Sequence, residues 1–134
     1  LEFGESFNQP IELNNSLKKL ILKDNFNNKI IFNDELCVLH LGYNFNQQVE
    51  LPNIEYLKIE SNNNYLIDNL PNSLETLVLG ELFQLKLLNL PNKLKTIIFD
   101  QFGYYNEDLY LPESVEILQL PSTYTREIKY LSKK

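Results

Sequence analysis

A pair of apolar residues separated by one other residue, L-x-L, recurs along this chain at nearly constant spacing. It appears as Leu1/Phe3, Leu20/Leu22, Leu39/Leu41, Leu57/Ile59, Leu77/Leu79, Ile97/Phe99 and Leu118/Leu120, at offsets of 19, 19, 18, 20, 20 and 21 residues. With 26 Leu in 134 residues, isolated pairs would mean little. Other columns keep the same phase, however. Three residues before each complete pair sits a further aliphatic: Leu17, Leu36, Ile54, Leu74, Leu94 or Val115. Before that comes Leu13, Phe32, Leu51, Leu70, Leu90 or Leu111, and Pro follows the last four of these. Self-similarity at such a period marks an architecture of stacked coils.

A second strand signal precedes the Pro corner as Ile11-x-Leu13, Ile30-x-Phe32, Val49-x-Leu51, Leu88-x-Leu90 and Leu109-x-Leu111. In the repeat ending at Leu70, Ile67 is expected to fill the column through a bulge. The other corner carries Phe7, Phe26, Phe45, Phe83 or Tyr124, with Tyr65 and either Tyr104 or Tyr105 slightly out of phase. Asn62 to Asn64 fall where a repeat loses its Phe and read as a flexible corner. A coil of about 20 residues has no room for a long helix plus turns, and Pro and Asn at the corners break helices. The expected fold is a repeat solenoid of the leucine-rich, horseshoe class. It is a single domain over 1–134, mostly β, with six to seven coils, parallel strands and little or no α-helix. Seven strands stacked at about 4.8 Å would span roughly 29 Å.

The stretch LEFGESFNQPIELNNSLKKL, residues 1–20, resembles the FNIP repeat, a short relative of the leucine-rich repeat. Phe7, Asn8, Pro10 and Ile11 match its naming motif, Phe26-Asn27 and Phe45-Asn46 repeat the F-N pair, and Leu70-Pro71-Asn72-Ser73-Leu74 matches its L-P-x-S-L half. In the last three repeats F-N is lost while L-P persists. The resemblance implies an origin in amoebae or their giant viruses. It also implies a substrate-recognition role beside an F-box in a longer parent chain.

Composition narrows the function classes. Twelve Lys plus Arg against 18 Asp plus Glu give a net charge of −6, the wrong sign for a protein that lives on nucleic-acid backbone. No uncharged apolar run approaches a membrane span, so no membrane partner is expected, and the expected location is intracellular, in the cytoplasm. The single Cys37 excludes an internal disulfide framework. With one His, His40, on the outer face, neither catalysis nor a structural metal site is expected, and no cofactor. Gly4, Gly42 and Gly80 share the column just after L-x-L and form no phosphate loop.

Asn8, Asn27 and Asn46 stand in register and are expected to form a buried ladder bonding the next coil's backbone. On the outward side of the L-x-L strands, one column reads Glu2, Ile21, His40, Lys58, Val78, Ile98, Gln119, and the column before it Lys19, Val38, Tyr56, Thr76, Thr96, Ile117. The candidate partner-binding residues are therefore Tyr56, Thr76, Val78, Thr96, Ile98 and Ile117, a contiguous patch low in charge. The outward column of the second strand is mostly polar. Leu1 begins inside a repeat, so further repeats are expected upstream and an open N-terminal end could stack. The charged stretch from Thr125 to Lys134 could close the other end. The reading is a non-catalytic protein-protein interaction module with a protein partner still to be identified; the alternative is a self-associating structural solenoid.

Overall fold

Alternation of apolar and other residues decides the first side of every coil. In the computed structural model, which describes residues 1–132, this side forms one six-stranded sheet. Its strands are β1 (Lys19–Leu22), β2 (Val38–Leu41), β3 (Tyr56–Ile59), β4 (Thr76–Leu79), β5 (Thr96–Phe99) and β7 (Ile117–Gln119). All neighbours are parallel, in the order of the chain, and the registers match the sequence columns: Leu20 faces Leu39, Leu57, Leu77, Ile97 and Leu118 in turn. An isolated bridge from Glu2 to Ile21 extends this ladder to the first coil. The fold is thus a parallel β-solenoid, and β1 to β5 each bury their L-x-L pair between the two sides of the coil. Phe26, Leu39, Leu77 and Phe83 are all buried.

Both corners are tight turns closed by one backbone hydrogen bond. At the strand exit the amides of Phe7, Phe26, Phe45, Phe83, Gly103 and Tyr124 donate to the carbonyl three residues back. At the other corner Leu17, Leu36, Leu74, Leu94 and Val115 do the same, the last three to a Pro carbonyl. Proline suits this place because it supplies an acceptor and fixed φ where no donor is needed. Among the corner rings, Phe7, Phe26 and Phe45 stack nearly parallel with centroids 6.0 and 6.1 Å apart.

The second side differs from expectation. Among the described residues only Leu109–Pro112 (β6) forms a ladder there, with Ile128–Leu131 (β8). The expected strands at Ile11–Leu13, Ile30–Phe32, Val49–Leu51 and Leu88–Leu90 form no ladder, and Asn89 sits in a bend. Ile30, Phe32 and Val49 still point into the core. The apolar pattern of these segments specifies which side chains are buried and leaves backbone pairing open. Where the ladder does form, Gly103 replaces the corner Phe, and Asp108 accepts both the Glu127 amide (3.3 Å) and Arg126 Nε (3.1 Å).

The irregular repeat is neither bulged nor a plain corner. Residues Asn64–Asp68 form a short helix, α1. Asn63, buried where other coils place Phe, caps it: its side-chain oxygen accepts the Leu66 amide at 3.3 Å while its Nδ2 donates to the Gln47 carbonyl at 3.0 Å. The Asn63 side chain and carbonyl thus take up the amides of the two buried helix residues, Leu66 and Ile67. One helical turn also delivers two core side chains, Leu66 and Ile67, where a strand would deliver one. In the later coil, Tyr105 is the aromatic that enters the core, against Phe83 and Phe99, while Tyr104 faces solvent.

The asparagine ladder exists, but at the surface rather than buried. The amides of Asn27 and Asn46 donate to the side-chain oxygens of Asn8 and Asn27, each at 2.9 Å. Asn62 and Asn106 repeat the device for the amides of Gln84 (2.8 Å) and Thr125 (3.0 Å). From the charged C-terminal stretch, β8 lies along β6, whose Leu109 and Leu111 are fully buried, while its own four side chains are exposed; Lys133 and Lys134 lie outside the described residues.

Candidate interaction face

The outward side chains of the six-stranded sheet form two files. Pairing brings Tyr56, Thr76, Thr96 and Ile117 into one, and Lys58, Val78, Ile98 and Gln119 into the other. All six sequence-derived face residues therefore sit together. Five are half-buried, because parallel neighbours one rung away cover one another; Ile117, on the outermost strand, is 58% exposed. The second side carries its own apolar exposure, which the sequence columns show only in part: Ile31 is 91% exposed and Leu88 59%. These two belong to different coils and do not form a file.

The N-terminal half of the face carries a feature that column reading missed. His40 Nε2 lies 3.4 Å from Glu60 Oε2, and Lys58 Nζ lies 3.8 Å from Glu60 Oε1. Both His40 and Glu60 are largely covered. At 3.4 Å the imidazole contact is an electrostatic neighbour rather than a well-formed hydrogen bond. Together His40 and then Lys58 hold the Glu60 carboxyl below its ordinary range, against the opposing effect of burial. Glu60 lies diagonally from His40, two residues past its ladder partner Lys58. Diagonal neighbours on one sheet face are within reach of long side chains, so a search at that offset would have found it.

The sign of the effect on stability follows. A carboxyl whose folded pKa is depressed contributes stability above the unfolded value, and that contribution is lost as pH falls through the folded value. Thermal melts from about pH 6 down to about pH 3 should therefore show wild type losing stability more steeply than Glu60→Gln. Parallel curves would mean that the carboxylate contributes nothing. The residual acid sensitivity has further sources: Glu2 is held low by Lys23, 2.9 Å away, and Asp108 by the Glu127 amide and Arg126.

The described residues contain no group of three or more His, Cys, Asp or Glu arranged to hold a metal ion. No helix among them is long and apolar enough to cross a membrane. Cys37 is a free thiol at the entry to β2.

Fold and face together define a parallel β-solenoid with one ladder of registered outward side chains. No protein-family profile matches the chain, and no curated protein or solved structure matches it at a significant level.

Proposed function

We propose that this solenoid is a non-catalytic protein-recognition module whose sheet face takes a protein partner. The observation that carries this reading is the registered file of uncharged side chains Thr76, Thr96 and Ile117 beside Val78 and Ile98. Little desolvation opposes docking on such a surface, and parallel strands hold it rigid, so few side chains lose freedom on binding. The motif matches in residues 1–20 support assigning the repeats to the FNIP type, and with it a place as the recognition part of a larger F-box protein in the cytoplasm.

The double change Val78→Glu and Ile98→Glu tests the face. Both side chains point outward, so the circular dichroism spectrum should be unchanged, while recovery of a specific partner from cell lysate should fall to background. Equal recovery by both proteins would move the binding site elsewhere.

A second reading, self-association through the coil ends, is favoured by a different observation. Phe3 and Phe7 in the first coil and Leu118 and Leu120 in the last are only half-buried, and Leu1 is exposed. Sedimentation that rises with protein concentration would favour that reading; a constant monomer mass would favour the first.

A further inference from the structure

The sheet face has an acidic margin at one edge. Where the strands exit into the corner turns stand Asp24, Glu60, Glu81 and Asp100. Lys23, at the same edge, is already paired to Glu2 at 2.9 Å, and Lys58 leans on Glu60 at 3.8 Å. Glu81 and Asp100 are exposed. Burial first, and then these four carboxylates, push the Tyr43 hydroxyl upward from its ordinary pKa.

Between Glu60 and Asp100 the same column holds Gly80. A β-carbon there would lie 2.8 Å from Glu60 Cγ, so the glycine makes room for the Glu60 side chain. Beside it lies a depression of about 370 Å³, walled by Lys58, Glu60, Val78, Ile98, Asp100 and Gln119. Asp100 is fixed at the rim because its Oδ1 accepts the Phe102 amide at 2.9 Å. The depression thus joins an apolar wall to a carboxylate rim. A lysine or arginine side chain fits this combination, with its methylene stem on Val78 and Ile98 and its cation at Glu60 and Asp100.

Resting on the recognition reading above, we propose that the partner is a cationic-apolar segment of another protein. Its apolar side chains cover Val78, Ile98 and Ile117, and its Lys or Arg side chains reach the edge formed by Glu60, Glu81 and Asp100. The complementarity is directional, since the margin is acidic while the file beside it is uncharged, so charge sets the register of the bound segment.

Three synthetic peptides test this by amide chemical-shift titration of the isotopically labelled chain. One alternates Lys with Ile, the second replaces each Lys by Glu, and the third replaces each Ile by Gly. The expected result is that the Lys-Ile peptide alone shifts the amides of Val78, Ile98, Asp100 and Ile117. Glu81→Lys with Asp100→Lys, checked for an unchanged spectrum in the core, should weaken it about tenfold. Equal binding by the Lys-Gly peptide, or shifts spread over the whole acidic surface, would reduce the effect to non-specific charge attraction and overturn the proposal. Concentration-dependent shifts of the same amides without peptide would assign the face to a second copy of the chain and overturn it as well. The two readings fail separately. A lysate partner lost on Val78→Glu/Ile98→Glu but kept on Glu81→Lys/Asp100→Lys would leave the face standing and remove the cationic segment. A partner kept by both variants would remove both.

Discussion

Truncating Leu77 to Ala should destabilise the protein by about 2–5 kcal/mol, and Leu118→Ala should cost clearly less. Leu77 is fully buried on β4, between Leu57 on one side and Ile97 on the other. Its loss opens a cavity that two neighbouring coils line, and neither can move in without breaking its own ladder. Leu118 on β7 has a registered neighbour only in β5, and its side chain is only partly buried. Urea unfolding of both variants measures the difference. A change below about 0.5 kcal/mol at Leu77 would contradict the placement of the column.

The second large effect is expected at a glycine. A β-carbon on Gly42 would lie 2.6 Å from the carbonyl carbon of Lys23 and 2.8 Å from the Asp24 nitrogen, both backbone atoms of the preceding coil. No side-chain rotation relieves that contact, so Gly42→Ala forces two coils apart and should cost about 1–3 kcal/mol. Gly4 occupies the same column in the first coil and has nothing within 4 Å. Gly4→Ala is therefore the control, and its midpoint should stay at or slightly above wild type, since alanine reduces the freedom of the unfolded chain. Equal losses at both positions would implicate backbone conformation rather than close approach.

What could be read in advance divides along physical lines. The L-x-L ladder was legible because period-2 alternation and a fixed repeat length together specify which residues face one another. Leu39 could meet only Leu20 and Leu57 once the columns were aligned. The proline corners were legible for the same reason. The second side was not, because its apolar pattern specifies burial and leaves backbone pairing open. Phe32 and Val49 are buried without a ladder, so their burial carries no information on pairing. The helix at Asn64–Asp68 was hidden by its brevity: five residues give no periodicity, and its signal was a single capping residue, Asn63, among three consecutive asparagines. On the face, the files were legible from alternation, whereas the contact of His40 with Glu60 runs across columns and needs the strand spacing to be known.

The registered pairs in the main sheet are all 18 to 21 residues apart, and the strands follow one another without a crossover. Closing each successive turn therefore ties off a loop of nearly constant length, at an entropic cost that scales as the logarithm of about 20 residues and does not grow along the stack. Each new coil meets a finished template, so assembly resembles zippering from whichever pair of coils forms first. On a ribosome the same arithmetic sets a rhythm. A coil can dock as soon as its own residues have emerged, and only its newest apolar surface waits uncovered for the next 20 residues.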